Sequence, residues 1–201
     1  IAKYRGRYRS GWFDMRAEKL SRMKQMGIVS QEQELATATA FDQKDRDGFD
    51  YKMSFDSGEI PNWKDLSDEE QDELDFRRAI YAAQVEHMDR NIGRIVDDLT
   101  EKGILDNTVI MFMSDNGCSG ELGLYGMNWP EYSSKNHSDW RTEGGWATAQ
   151  GQCWASLSNA PLRKYKIFAH EGGIASPLIA HWPSGIASPG RICTDQVLHM
   201  I

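Results

Sequence analysis

An acidic and an amide side chain stand together at the end of an apolar segment. Asp115 and Asn116 follow the segment Thr108–Met113, whose residues are mostly apolar and include β-branched and aromatic side chains. Such a segment predicts a strand buried on both faces, and ligands of open α/β sheets bind beyond the carboxyl ends of the strands. A carboxylate and an amide carbonyl are hard oxygen donors that suit Ca²⁺ or Mg²⁺. The pair therefore predicts two ligands of a divalent cation, with a simple turn as the alternative.

A second polar feature lies later in the chain, where Lys166 precedes the segment His170-Glu171-Gly172-Gly173. The two adjacent glycines predict a turn. Imidazole titrates near neutrality, so His170 has the chemistry of a general acid or base. Lys166 and His170 thus add an ammonium group and a titratable imidazole to the candidate residues.

The clearest element that could position these residues is a helix over residues 67–103. Ser67 and Glu70 have the spacing of a capping box, and Gly103 suits the C-cap. Between them, apolar side chains recur mainly at three- and four-residue intervals, at Leu74, Tyr81, Val85, Met88, Ile92, Ile95 and Leu99. This spacing predicts one apolar face. Because a short loop leads from the helix into the strand, we expect an α/β fold with a mixed, largely parallel sheet between helices.

The remaining segments are less regular. Residues 1–28 predict an amphipathic helix that ends near Gly27. Residues 29–66 show little periodicity and predict a polar connection with a short helix. Residues Leu178–Trp182 predict a second buried strand, in which His181 would be a structural core residue.

Residues 117–160 predict a long ordered loop that is rich in tryptophan. Flat aromatic faces can stack on sugar rings, and loops on a rigid scaffold commonly carry specificity. The loop contains Trp129, Trp140, Trp146 and Trp154. For Trp154 we expect burial as an anchor rather than contact with a ligand.

The composition excludes several classes of protein. The chain has 201 residues and a formal net charge of −7, which argues against non-specific nucleic-acid binding because that needs a basic face. The sequence lacks an apolar run long enough to span a membrane. Its cysteines, Cys118, Cys153 and Cys193, show no metal-ligand spacing.

Four segments together resemble the type I sulfatases, the formylglycine-dependent arylsulfatase family of the alkaline-phosphatase superfamily. The segment before the strand and the strand itself are similar to that family, and so are two later stretches. The four are Tyr81–Leu99, Gly103–Gly117, Ser158–Lys166 and His170–Pro183. The resemblance is closest over residues 67–201 and looser over residues 1–66.

The resemblance implies a partial alkaline-phosphatase-like domain and assigns roles to individual residues. Asp115 and Asn116 match the family's late pair of metal ligands, usually to Ca²⁺, with Mg²⁺ possible. Lys166 matches the catalytic lysine that contacts the sulfate, and its spacing of five residues before Glu171 favours it over Lys164. His170 is expected to border the site and to contribute to substrate binding.

The family's nucleophile motif is absent from this chain. Formylglycine is made from Cys or Ser in the pattern Cys, any residue, Pro or Ala, any residue, Arg. The nearest match begins at Cys153, but Leu157 stands in the place of the arginine, so we interpret Cys153 as a packing residue and Cys118 as a neutral substitution. The resemblance therefore implies that the nucleophile, the remaining metal ligands and the leaving-group histidine lie upstream of Ile1.

We interpret residues 1–201 as a fragment of a sulfatase catalytic domain, truncated at both ends and inactive alone. The full-length protein is expected to be periplasmic or secreted. It would hydrolyse sulfate esters, of carbohydrates in particular, with formylglycine and a divalent cation, and without a nucleic-acid partner or a membrane span. The alternatives are a phosphonate or phosphate monoester hydrolase of the same superfamily, and a non-catalytic module that binds glycans or calcium. The sequence does not fix the oligomeric state.

Overall fold

The computed structural model describes residues 1–43, 53–121, 123–126 and 149–194. The helices in these ranges are α1 (Gly11–Gln25), α2 (Asp68–Glu101), α3 (Gly151–Asn159) and α4 (Glu171–Ile174), with short 3₁₀ turns at Ala2–Tyr4, Trp63–Asp65 and Leu105–Asn107. The strands are β1 (Thr39–Gln43), β2 (Met53–Glu59), β3 (Ile110–Met113) and β4 (Leu178–His181). No helix in the described ranges is long and apolar enough to cross a membrane.

The described strands form two separate antiparallel pairs. β1 pairs with β2, and β3 pairs with β4 in a register that places Ile110 opposite His181 and Met113 opposite Leu178. The fold thus mixes helices and strands as predicted, but the pairing seen in the described ranges is antiparallel, whereas we predicted a largely parallel sheet. The prediction of a polar connection over residues 29–66 was wrong, because β1 and β2 lie in it. Strand pairing depends on residues distant in sequence, which local periodicity does not report.

Helix α2 forms as its end signals predict. Ser67 Oγ accepts a hydrogen bond from the Glu70 backbone N–H at 3.3 Å, and Glu70 Oε2 accepts one from the Ser67 N–H at 2.8 Å. At the other end Gly103 has φ +65°, and the Ile104 N–H donates to the Leu99 carbonyl at 3.0 Å. This is the Schellman arrangement, in which a left-handed glycine lets the chain turn back on the last carbonyls. The predictions of a capping box at Ser67 and of a C-cap at Gly103 are therefore confirmed.

The core centres on three tryptophans, of which Trp12 meets the other two edge to face. The Trp12 ring lies 5.1 Å from that of Trp63 and 5.4 Å from that of Trp154, centroid to centroid. Trp154 is fully buried, and its indole N–H donates to the Leu74 carbonyl at 3.0 Å. Its predicted role as a buried anchor is confirmed. The predicted loop over residues 117–160, however, ends in helix α3, which the core buries from Gly151 to Leu157.

Two strands that we predicted to be buried are exposed. In β3, Met111 is 60% exposed and Phe112 40% exposed, and β4 is exposed along its whole length, His181 included. The predictions of doubly buried strands and of a core histidine were therefore wrong. The apolar face of α2 is likewise open beyond its first turns, with Ile95 59% exposed. The reason is that within the described ranges no helix or sheet packs over these faces.

The N-terminal segment is held on α2 by a buried carboxylate. Asp75 is fully buried, and its two oxygens accept hydrogen bonds from the backbone N–H groups of Gly6 at 2.8 Å and Tyr8 at 3.1 Å. The Arg5 guanidinium lies 3.3 Å from the same carboxylate. Hydrogen bonds to a charged acceptor are stronger than neutral ones, and unpaired buried donors are costly.

We expect the substitution Asp75→Ala to lower the free energy of unfolding by about 2–3 kcal/mol, because it removes two charge-assisted hydrogen bonds from part-buried main-chain donors and an ion pair with Arg5. The matched control is Asp72→Ala on the same helix, since Asp72 is 40% exposed and pairs with Arg5 and Arg9 at the surface. Its cost should stay below about 1 kcal/mol. Urea denaturation of the three chains measures both values. Equal losses in the two variants would contradict the argument.

Candidate functional site

The turn after β3, here called the acidic turn (residues 114–118), carries the two predicted metal ligands. Asp115 is exposed and Asn116 is half-buried. The Ser114 hydroxyl donates to the Asn116 carbonyl at 2.8 Å, which shapes the turn. Among the described residues, the Asp115 and Asn116 side chains have no hydrogen-bond or ion-pair partner.

The acidic turn lies directly against the lysine loop, here defined as residues 160–173. The Gly117 N–H donates to the Gly173 carbonyl at 2.9 Å. A Cβ atom at position 117 would stand 1.7 Å from the Gly172 carbonyl oxygen, and one at position 172 would stand 2.0 Å from the Lys164 carbonyl oxygen. The glycines are needed for this close approach of backbones, which the sequence suggested only as a turn.

The contact between the acidic turn and the lysine loop is here called the junction, and Lys166 takes part in it through its main chain and its side chain. Its N–H donates to the Cys118 carbonyl at 3.1 Å. Its ammonium forms an ion pair with Glu121, Nζ to Oε2 at 3.1 Å. The structure thus brings the lysine loop to the acidic turn, although Lys166 and Asp115 are far apart in sequence.

The two candidate lysines differ in environment. Lys164 is 5% exposed, has φ +64°, and places its Nζ 5.0 Å from the centroid of the Phe168 ring. The Lys166 side chain is 40% exposed. The Lys166 ammonium is therefore the more accessible of the two, and the choice of Lys166 over Lys164 as the sulfate contact stays a prediction.

His170 stands at the N-cap position of α4, without a side-chain cap hydrogen bond. Its ring stacks on Phe168, with 6.5 Å between centroids and 24° between planes. His170 lies in the lysine loop, and its place beside the substrate stays a prediction.

Two residues of the junction were missed by the sequence analysis. Glu121 holds the Lys166 ammonium, and Asn159 hydrogen-bonds to both main-chain groups of Cys118. Asn159 lies in the segment Ser158–Lys166, which resembled the family, so the segment was noticed but not this side chain. For Glu121 the only signal was an acidic residue shortly after the acidic turn.

Cys153 and Cys118 lie in different environments. Cys153 is fully buried in the tryptophan core, and this burial raises the pKa of its thiol, so its interpretation as a packing residue is confirmed. Cys118 is half-buried, and its sulfur accepts a hydrogen bond from the Gln150 side-chain amide at 2.7 Å.

A half-buried lysine, Lys19, lies at the C-terminal end of α3. Lys19 donates from Nζ to the Ser158 carbonyl at 2.5 Å and to the Leu157 carbonyl at 3.4 Å, at the C-terminal end of α3. Loss of solvation lowers the pKa of Lys19 from 10.5 to about 8, and the nearby Arg78 guanidinium acts in the same direction. Between these two values the unfolded chain binds more protons than the folded chain at this residue. Its contribution to stability therefore rises with pH.

We expect wild-type chain to gain stability relative to Lys19→Met as pH rises from 7 to 10, by on the order of 2 kcal/mol. The comparison between the two chains is essential because Cys153, whose pKa is raised, changes stability in the opposite sense over an overlapping range. Urea denaturation at fixed pH steps measures the difference. A difference that stays constant from pH 7 to 10 would show that Lys19 keeps its ordinary pKa.

The donor set of the acidic turn fits a hard cation but supplies only part of a coordination shell. Ca²⁺ takes about six to eight oxygens and Mg²⁺ about six, whereas the acidic turn offers one carboxylate and one amide carbonyl. In the described part of the chain, no group of three or more His, Cys, Asp or Glu side chains could hold a metal ion. A cation bound at the acidic turn would therefore need further oxygen ligands from outside the turn.

Comparison with known proteins identifies the class to which this fold and site belong. Residues 28–199 match the sequence profile of the sulfatase family. The chain is 35% identical over 196 residues to an uncharacterized sulfatase of Schizosaccharomyces pombe, covering 91% of this chain. It is 27% identical over 195 residues to an arylsulfatase of Klebsiella aerogenes, covering 96% of this chain.

The chain therefore belongs to the sulfatase family, which confirms the resemblance seen in its sequence and implies an alkaline-phosphatase-like α/β fold. A third relative is the N-acetylgalactosamine-6-sulfatase of Mus musculus, 31% identical over 124 residues, or 62% of this chain and 17% of that protein. The chain spans 31% of the length of the yeast relative and 38% of that of the bacterial arylsulfatase. Family membership supports sulfate ester hydrolysis as the general activity of such proteins.

Proposed function

We propose that residues 1–201 are part of the catalytic domain of a sulfatase that hydrolyses sulfate esters with the help of a divalent cation. The observation that carries the proposal is the junction itself. The acidic turn and the lysine loop lie against each other, so the hard oxygens of Asp115 and Asn116 and the Lys166 ammonium belong to one region. The exposed apolar faces of β3, β4 and α2 support the view that more of the domain packs on this chain, within a larger and largely parallel sheet.

Each residue has a separate task in this proposal. Lys166 binds an oxygen of the sulfate group and neutralises the charge that grows on it as the S–O bond breaks. Asp115 and Asn116 hold the cation, Ca²⁺ or Mg²⁺, which when bound acts as a Lewis acid on the sulfate. His170 borders the substrate. A formylglycine, which this chain lacks, would supply the covalent chemistry in the full-length protein.

Lys166 exchanges one anionic partner for another when substrate binds. In this structure its ammonium is paired with Glu121 at 3.1 Å, and the two side chains are 40% and 32% exposed. Because the pair is open to water, its attraction is weak. A sulfate group, which offers several oxygens, can therefore compete for the ammonium without a large cost.

We propose a sulfated carbohydrate as the substrate and the periplasm or the cell exterior as the location. The name of the mouse relative, N-acetylgalactosamine-6-sulfatase, refers to a sulfated sugar, and the tryptophan-rich segment offers rings that could stack on sugars. Trp129, Trp140 and Trp146 lie outside the described residues, so their part in binding remains a prediction.

The experiment that tests the proposed function is a turnover assay of the full-length protein with added Ca²⁺. It compares a sulfated sugar and an aryl sulfate with an aryl phosphate and an aryl phosphonate. Hydrolysis of sulfate esters that is lost in Asp115→Ala would support the proposal. Preference for the phosphorus esters would favour the alternative hydrolase of the same superfamily, and binding of sulfated sugar without turnover of any ester would favour a non-catalytic module.

We expect the isolated 201-residue chain to hydrolyse no sulfate ester, because it carries two metal ligands and a lysine but no formylglycine motif. Charge stabilisation cannot replace the missing nucleophile. The measurement is release of phenol from an aryl sulfate in excess Ca²⁺, with the Lys166→Ala chain as background. Turnover above that background would contradict the expectation.

A further inference from the structure

We propose that Asn159 is a positioning residue that fixes the acidic turn relative to the lysine loop, and so sets the geometry of both the metal ligands and Lys166. The inference rests on the proposed function. It concerns a residue that contacts neither the cation nor the sulfate in that proposal and that acts only through the main chain of Cys118.

The Asn159 side chain binds both main-chain groups of one residue. Its Oδ1 accepts a hydrogen bond from the Cys118 N–H at 2.9 Å, and its Nδ2 donates to the Cys118 carbonyl at 3.2 Å. An amide is the only common side-chain group that presents a donor and an acceptor side by side in a plane, as a peptide unit does. Since the Cys118 N–H needs an acceptor and its carbonyl a donor, the orientation of the amide is fixed.

Asn159 connects the site to the most buried helix of the described structure. It is the last residue of α3, and its Nδ2 also donates to the Ala155 carbonyl at 3.1 Å. Ala155 and Trp154, just before it, are fully buried. The position of Asn159 is therefore set by the core, and through it the position of Cys118 is set as well.

The Cys118 main chain belongs to the acidic turn and also contacts the lysine loop. Its carbonyl accepts the Lys166 N–H at 3.1 Å in addition to the Asn159 amide, and its neighbour Gly117 donates to the Gly173 carbonyl at 2.9 Å. Asp115 and Asn116 precede Cys118 by three and two residues, respectively. Without the Asn159 amide, only the hydrogen bonds from Lys166 to Cys118 and from Gly117 to Gly173 would connect these main chains. The acidic turn would then be free to shift.

A purely structural role for Asn159 would have a different signature. The contact with Ala155 satisfies a helix-end carbonyl, so Asn159 could simply stabilise α3. A stability loss alone would then follow from its removal, with unchanged metal affinity and kcat in the folded protein. Positioning instead predicts that metal affinity and kcat fall, since residues that orient metal ligands typically change affinity by about 10- to 100-fold.

The test measures Ca²⁺ affinity by calorimetry, kcat and KM for an aryl sulfate, and urea stability, all on the full-length protein. Asn159→Ala removes the amide. Asn159→Asp keeps the acceptor for the Cys118 N–H, loses the donor to its carbonyl, and serves if the alanine variant does not fold. We expect Ca²⁺ Kd to rise about 10-fold or more in Asn159→Ala and less in Asn159→Asp, with kcat falling in parallel.

Two further variants make the result decisive. Asp75→Ala is the control for destabilisation away from the site, and it should leave Kd and kcat of the folded protein unchanged. Asp115→Ala tests the metal assignment of the proposed function directly. If Asp115→Ala loses Ca²⁺ and the folded Asn159 variants keep Kd and kcat within about twofold, the inference is overturned and the proposed function survives. If Asp115→Ala keeps Ca²⁺, the metal assignment fails, and the inference is judged on kcat alone, where no fall in the Asn159 variants overturns it.

Discussion

Replacing Lys166 by alanine in the full-length protein is expected to lower kcat for a sulfate ester by about 10²- to 10³-fold, the range for loss of one oxyanion-stabilising group. The physical reason is that the ammonium neutralises charge that is larger in the transition state than in the bound substrate. Stability should change little, because the Lys166 side chain is 40% exposed and its ion pair with Glu121 is open to water. The loss should therefore appear in kcat, with unchanged urea denaturation.

Three variants locate this effect. Lys166→Arg retains the positive charge and should recover part of the activity, although its planar group places the charge differently. Lys64→Ala, at an exposed lysine on the turn before α2, should leave kcat unaltered. Lys164→Gln tests the neighbouring lysine. A full loss in Lys164→Gln with normal kcat in Lys166→Ala would assign the sulfate contact to Lys164 instead.

Introducing a single methyl group at Gly117 is expected to destabilise the chain by more than about 4 kcal/mol or to prevent folding of the junction. A Cβ atom there would stand 1.7 Å from the Gly172 carbonyl oxygen and 2.8 Å from its carbonyl carbon. The obstacle is backbone, which cannot rotate away as a side chain could. Relief requires the acidic turn to separate from the lysine loop, with loss of the hydrogen bond from Gly117 to Gly173.

The matched control is Gly93→Ala, the same change in the middle of α2. A Cβ atom at position 93 meets nothing within 4 Å, and alanine is favoured over glycine in a helix by about 0.5–1 kcal/mol. We therefore expect Gly93→Ala to raise the free energy of unfolding while Gly117→Ala lowers it. Urea denaturation of the two chains decides the matter, and similar stabilities would mean that the junction is not tightly packed.

Local signals in the sequence determined the helix ends and the chemistry. Ser67 and Glu70 fix the start of α2 through hydrogen bonds between residues three apart, and Gly103 fixes its end, so neighbouring residues contain all the information needed. The hard oxygens of Asp115 and Asn116 and the charge of Lys166 are likewise properties of side chains and not of the fold. For this reason the candidate residues could be proposed before any contact was known, and the family was indicated by the resemblance of four sequence segments.

Burial was decided by tertiary structure. The apolar segments that form β3, β4 and the later part of α2 have the composition of core elements, yet their side chains are exposed here. Exposure depends on which surfaces pack against an element, and periodicity describes only the element itself. The same reason explains why β1 and β2 were missed, since each strand gains its hydrogen bonds from the other, and periodicity within one strand does not report its partner.

The junction also depended on the tertiary structure. Asn159 and Glu121 are unremarkable in sequence, and they matter because folding places one against the Cys118 main chain and the other 3.1 Å from the Lys166 ammonium. Gly117 and Gly172 could be predicted as turn residues from the sequence. That these positions have no room for a Cβ atom becomes apparent only in the structure, where two backbones meet. The sequence specifies which chemical groups are present. The distances between these groups are set by the packing of segments that are far apart in the chain, and these distances determine whether the groups form a site.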